Sequence, residues 1–223
     1  MNTTDRFLDA AEVAFFADLQ RIVSWRKHPF PKSVLRVCAA DAAYSGDRVV
    51  AVATVFEGEE LVETSSYVGD CSIPYVSGLF YLREGPFVVQ AVKGLEVRPQ
   101  LVCFDAHGAA HPRSAGLATV CGMMLEIPSV GIAKSLLVGN VVPAERGLDR
   151  IVYSGKTVGF VTGKGGMTRY WSVGYSVGLR SLENLIRRHE VVCLRAMSES
   201  DRTAREQVRD IAPGHSSSTS ARR

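Results

Sequence analysis

Three acidic residues of this 223-residue chain stand where they could act together. Asp41 closes the apolar run Val34–Asp41 and is flanked by alanines on both sides, so little around it solvates a charge. Asp105 ends the fully apolar stretch Leu101-Val102-Cys103-Phe104, and Glu84 opens a helical pattern that lies between the two. Ligand sites in mixed sheets collect at the carboxyl ends of strands. Two aspartates there, with a glutamate leaning in from a helix, would form an all-oxygen cluster. Carboxylates packed without counter-charge repel and raise one another's pKa. A divalent cation removes that penalty, and oxygen-only donors favour Mg²⁺ or Mn²⁺ over zinc. Taken singly, each acid also reads as an ordinary strand-end or helix-start residue. Lys134, ending the apolar strand Ser129–Ala133, is either a snorkelling edge residue or a fixed positive charge facing the acids.

Other residues offer weaker chemistry. His107 and His111 have HxxxH spacing, but Gly108 between them and Pro112 after them argue for a loop rather than the helix a zinc pair needs. A histidine there could instead bond a phosphate. Tyr75, between Pro74 and Val76 in the loop 70–80, is either local packing or a wedge on which a nucleobase stacks. The run 162–169, Thr-Gly-Lys-Gly-Gly-Met-Thr-Arg, lacks the Walker order and reads as a hairpin turn or a flexible phosphate contact.

The elements that must position these residues follow from periodicity. Residues 8–27 show helical spacing, with acids early and bases late, and His28-Pro29 stops them. Three β-rich runs, 34–41, 48–56 and 61–68, are separated by turn-forming sequences and predict an antiparallel meander. Helices are expected over 84–96, with Pro86 in the first turn, and over 114–126. Further helices are expected over 180–190 and 198–211. Strands 101–104 and 129–133 are continuously apolar, as buried parallel strands are, and 148–174 reads as more β structure. The fold class is therefore α/β, a mixed sheet of meander plus parallel strands flanked by helices. One domain spans 1–212 and a disordered polar tail spans 213–223. Net charge is +3, which permits a nucleic-acid partner without requiring one. Five cysteines without a CxxC pair suit a reducing cytoplasm, and no run is long and apolar enough to span a membrane.

Three segments together resemble one family. Pro74-Tyr75-Val76-Ser77-Gly78 through Arg83-Glu84-Gly85-Pro86 resembles the tyrosine-wedge and Arg-Glu-Gly-Pro signature of endonuclease V. Phe104-Asp105-Ala106-His107-Gly108 through His111-Pro112-Arg113 resembles its Asp-Gly-His-Gly…His-Pro-Arg segment. Ile127 to Ser135 resembles its Ile-Pro-Thr-Ile-Gly-Val-Ala-Lys-Ser strand. The resemblance covers roughly residues 10–210 and implies a ribonuclease H-like fold. The implied enzyme acts as a monomer with Mg²⁺, or Mn²⁺ as substitute. It nicks DNA at the second phosphodiester bond 3′ to deoxyinosine, leaving a 3′-hydroxyl and a 5′-phosphate; some members prefer inosine in RNA. By the same resemblance Asp41, Glu84 and Asp105 are metal carboxylates, Lys134 is the catalytic lysine and His111 lies near the scissile phosphate. Tyr75 is the wedge, and Gly78, Gly108, Gly116 and Gly131 belong to the pocket for the extruded base. Arg83, Arg113, Lys164 and Arg169 are expected at phosphates, and Asp201 is a candidate fourth carboxylate.

The chain departs from that pattern at Ser77, in place of a proline, and at Ala106, in place of a glycine. A late Ser-Pro/Val-Gly-His segment appears as Ser172-Val-Gly-Tyr175 or as Ser176-Val-Gly-Leu179, without the histidine. Two alternatives therefore stand beside the DNA enzyme: a ribonuclease for inosine in single-stranded RNA, and an inosine-binding module that has lost turnover.

Overall fold

A computed structural model describes residues 10–23, 30–31 and 33–211. The expected helix stop at His28-Pro29 and the tail from 213 lie outside the described residues. The meander forms as its turns require. Strands β1 (Arg36–Ser45) and β2 (Arg48–Glu57) are joined by Gly46-Asp47, and β2 and β3 (Glu60–Asp70) by Gly58-Glu59. Both glycines adopt the positive φ that tight hairpins need, +59° and +61°. Helix α2 (Phe80–Lys93) then leads to β4 (Leu101–Phe104), and α3 (Leu117–Leu125) to β5 (Ser129–Ala133). Four more strands follow: β6 (Asn140–Val142), β7 (Asp149–Tyr153), β8 (Lys156–Thr162) and β9 (Arg169–Val173). The chain begins with α1 (Ala10–Val23) and closes on α4 (Leu179–Asp210).

The nine strands form one sheet in the order β3-β2-β1-β4-β5-β9-β8-β7-β6. Strands β1, β4 and β5 run parallel at its centre, and the remaining pairs are antiparallel. Strand alternation divides the core. Val37 and Ala39 of β1, Leu101 and Cys103 of β4, and Val130 and Ile132 of β5 face α4, whose Leu182, Leu185, Cys193 and Ala196 cover them. Cys38, Ala40, Val102 and Phe104 face α2 and α3, meeting Val88, Val92, Leu117 and Cys121. Among the described residues no helix is long and apolar enough to cross a membrane.

The structure corrects several expectations. Asp41 lies in the middle of β1, because pairing with β2 carries the strand on to Ser45. Glu84 lies inside α2 rather than opening it. The helix starts four residues earlier, and Pro86 sits in its interior because Gly85, Val88, Val89, Ala91 and Val92 are all buried along its length. Helix α3 starts at Leu117 instead of 114. The two late helices are one of 32 residues. They share a single buried stripe, from Leu182, Leu185 and Ile186 through Cys193, Ala196 and Met197 to Ser200, Ala204 and Val208. The region 148–174 contains β7, β8 and β9, with the 162–169 run forming the expected hairpin turn between the last two. Strand β6 carried no expectation.

Gly131 shows how tightly the centre is built. A Cβ on it would fall 2.3 Å from the Ala106 carbonyl oxygen and 2.6 Å from the Gly108 amide nitrogen. The loop after β4 therefore lies directly on β5. Gly131→Ala is expected to destabilise the protein by about 1–3 kcal/mol, because rigid backbone rather than a flexible side chain must move. Denaturant unfolding checks this, and an unchanged midpoint would show that the loop yields freely.

Candidate active site

Register decides which side chains meet. Val37 pairs with Leu101 in the parallel β1–β4 ladder, so the same offset sets Asp41 beside Asp105 one step past the paired residues. By alternation both share the α4 face. Lys134, in step with Val130 and Ile132, shares it too and forms an ion pair through Nζ with Asp105 Oδ2. Helix α4 contributes Asp201 from above, and α2 turns the buried Glu84 in from the other side. These five residues line one groove of about 610 Å³.

The groove is electrostatically loaded. Burial first, then the charges of Asp105 and Asp201, push Asp41 up to about 7, against which only its bond from the Ala42 amide at 2.9 Å works. Burial, with Asp41 and Asp105 adding to it, holds Glu84 well above the usual carboxylate range; Arg83 opposes this weakly. Burial alone would lower the Lys134 ammonium, but its bond to Asp105 and the charges of Asp201 and Asp41 raise it. Asp105 is paired with Lys134 and Asp201 with Arg205, at 2.9 Å, whereas Asp41 and Glu84 have no ion pair among the described residues. With two direct cationic partners for four acids, Asp41 and Glu84 are left without a counter-charge and hold their protons more tightly than free carboxyls do. Among the described residues no three metal-ligating side chains close into a ready cage. The donor set is nevertheless oxygen-only, crowded and under-neutralised, which fits a hard divalent cation.

A second cavity of about 330 Å³ adjoins the groove and shares Phe80, Asp105 and Lys134 with it. Tyr75, 64% exposed, stands at its mouth against Phe80, with ring centroids 5.8 Å apart. Gly78, Ala106, His107, His111 and Gly116 also line it. Gly108 and Gly131 do not; a Cβ on Gly108 would meet the Val173 carbonyl oxygen at 2.1 Å, so both glycines serve close backbone packing behind the cavity. The Ala106 methyl is thus at the cavity wall, as its departure from the family pattern implies.

His111 is a buried strut. Its Nδ1 accepts the Arg113 amide at 3.2 Å, which leaves the proton on Nε2 to donate to the Gly78 carbonyl at 3.1 Å. Burial and the neighbouring Arg113 push it down to about 4, so it is neutral at pH 7. Arg113 donates to the same carbonyl and, through Nε, to Gln20 Oε1 at 2.5 Å. Gln20, 1% exposed, donates to the Ala115 carbonyl at 2.7 Å. This latch holds Gly78, at φ +77°, and with it the loop that carries Tyr75. All three arginines expected at phosphates are engaged within the protein. Arg113 is in the latch, and Arg83 covers the Tyr44 ring and donates to the Ile73 carbonyl. Arg169 bonds carbonyls of its own turn. Gln20 carried no signal in the sequence beyond being a polar residue on a helix.

The missing late histidine has a clear location. Tyr175 exchanges backbone contacts with Ser129, donating its amide to Ser129 Oγ and accepting from the Ser129 amide, both at 2.9 Å. Ser129 begins β5 and Lys134 follows its end, so this position lies about 13 Å or more from the groove along the strand. Leu179 packs on the α4 core.

Comparison with known proteins gives a consistent picture. Residues 18–192 match the family model described as Endonuclease V. Endonuclease V of Sulfolobus acidocaldarius is 35% identical over 157 residues, which cover 70% of this chain and 76% of the relative. That of Saccharolobus islandicus is 33% identical over 178 residues, covering 78% and 86%. The crystal structure of endonuclease V from Streptomyces avermitilis superposes with a TM-score of 0.78 at 27% identity, covering 91% of this chain and 94% of the other. A structure of Ciona intestinalis endonuclease V, in complex with a 23-mer DNA containing an inosine followed by a ribo-adenosine, shares the fold. Its TM-score is 0.76 at 17% identity, over 92% and 100% of the two chains. The mixed sheet with its flanking helices is the ribonuclease H-like fold of these neighbours.

The crowding of acids makes a stability prediction. Asp41 has a folded-state pKa near 7 against an ordinary value near 3.9. Its contribution is fully present below about pH 4 and is lost as pH rises through 7. Metal-free protein should therefore lose thermal stability from pH 5 to pH 8. Asp41→Asn should flatten that slope and raise the midpoint at pH 8 by about 2–4 °C. Calorimetry in chelator checks this, and a lower midpoint for the variant at pH 8 would contradict the repulsion.

Proposed function

We infer that this chain, which belongs to the endonuclease V family, is an inosine-specific DNA repair endonuclease that hydrolyses the second phosphodiester bond 3′ to deoxyinosine. The observation that carries the reading is the junction of two cavities, one sized for a base and one lined by acids, across Asp105 and Lys134. A base held in the smaller cavity places the phosphates that follow it over the carboxylates, so the cut falls beside the lesion rather than at it.

The residues divide the work. Hypoxanthine pairs weakly, so extruding it costs less than extruding a matched base. Tyr75, exposed and backed by Phe80, would fill the gap left in the stack. The latch through Gln20, Arg113 and His111 fixes the wedge loop beforehand, so less ordering is needed on binding. Asp41, Glu84, Asp105 and Asp201 would hold a divalent cation, Mg²⁺ or Mn²⁺. When bound, such an ion activates water and neutralises charge on the leaving oxygen. Lys134, already charged and at the junction, would turn from Asp105 to a phosphate oxygen and stabilise the negative charge building there. Neutral His111, at the cavity wall, holds its proton on Nε2 for Gly78 and so supports the pocket rather than transferring a proton. The five buried, unpaired cysteines suit a reducing cytoplasm.

The alternative of lost turnover rests on the absent late histidine, and the bond of Tyr175 to Ser129, at the start of β5, favours the enzyme reading over it. In a strand-nicking assay with Mg²⁺, the protein should cut inosine-containing DNA and spare the matched control. Asp105→Ala should lower the rate by at least about 10²-fold with circular dichroism unchanged. Tyr75→Ala should weaken substrate binding by roughly 5- to 100-fold, the range of one lost base stack. Retained turnover in Asp105→Ala would refute the assigned role.

A further inference from the structure

The groove does not end at the carboxylates. Strand β1 pairs with β4 only through Ala40; from Ala42 to Ser45 it pairs with β2 alone, leaving its other edge along the groove. Helix α4 follows the same course. Ala196 accepts a bond from Thr54, opposite Ala39, while Ala204 and Val208 pack on Val52 and Val50, opposite Asp41 and Ala43. The helix thus advances in the direction of β1, and Asp201, Arg205 and Arg209 lie on successive turns leading away from the acids. Each turn advances about 5.4 Å, comparable with the spacing of neighbouring phosphates on one strand. Arg205 and Arg209 line the far end of the groove, opposite the end shared with the base-sized cavity. Arg205 is paired with Asp201; Arg209 is exposed and forms no ion pair among the described residues.

We propose that this end of the groove binds the nucleic-acid strand on the 3′ side of the scissile phosphate, with Arg209, backed by Arg205, contacting its next phosphates. The proposal rests on the nuclease reading and gives it a polarity. The lesion base occupies the small cavity, the scissile phosphate lies over the acids, and the outgoing strand runs between β1 and the last turns of α4. The arginines also answer an electrostatic need, because a polyanion passing a surplus of carboxylates requires positive charge close by.

The test compares nicking of two single-stranded inosine oligonucleotides, one extending eight nucleotides beyond the nick and one extending a single nucleotide. The parent should show a higher kcat/KM on the longer substrate. Arg209→Gln should reduce that long-to-short ratio by about fivefold and lower the salt slope on the longer substrate by about 0.7, the share of one single-strand phosphate contact. Arg209→Lys, which keeps the charge, should restore most of both. Extending the strand on the 5′ side instead should leave the effect of Arg209→Gln unaltered. An unchanged long-to-short ratio in Arg209→Gln would overturn the strand path while leaving the nuclease reading intact, as would an effect that follows the 5′ length. A parent that nicks neither oligonucleotide would overturn the nuclease reading itself.

Discussion

The repulsion among four carboxylates facing one groove is the constraint around which the rest is arranged. It arises from backbone geometry: parallel register sets Asp41 beside Asp105, alternation turns both to the same face, and α4 and α2 bring Asp201 and Glu84 against them. Hydrophobic burial of both sheet faces holds these groups in place against their own charge. Lys134 and Arg205 offset part of it, and Asp41 carries the remainder as a raised pKa. A site of this kind is less stable than the same fold with neutral residues would be, and a divalent cation is the partner that reverses the deficit.

The neighbouring cavity follows a different principle. Its walls are placed by backbone close approach, with Gly108 and Gly131 packed against carbonyl and amide groups so that the loop after β4 cannot shift. The wedge loop is tied down by side chains converging on the Gly78 carbonyl, a chain of contacts that reaches back to Gln20 on α1. The two cavities thus share Asp105 and Lys134 but are stabilised separately, one by packing and hydrogen bonds, the other by managed charge.

Much of this was legible in the sequence. Continuous apolar runs marked β4 and β5 to the residue, glycine turns marked the meander, and the motifs carrying Asp105, Lys134 and Tyr75 pointed to both cavities. What was hidden depended on contacts distant along the chain. Pro86 read as a helix start because the packing of α2 upstream of it had no local signature. α4 read as two helices because the stripe that runs through Cys193 and joins them is made necessary only by the sheet it covers. The resemblance set His111 near the scissile phosphate but gave no sign of its burial or of its bond to the Gly78 carbonyl. The place of the absent histidine also depended on pairing, because the antiparallel direction of β9 puts Tyr175 at the start of β5, at the end opposite Lys134.

The central claim is that the unpaired carboxyls of this groove are placed to hold a divalent cation. Crystals soaked in Mn²⁺ and measured for anomalous scattering test it most directly. The account predicts a peak in the groove bounded by Asp41, Glu84, Asp105 and Asp201, with carboxylate oxygens about 2.0–2.2 Å away and with Lys134 displaced from Asp105. A groove without anomalous signal at saturating Mn²⁺, or a peak held by other residues, would contradict it.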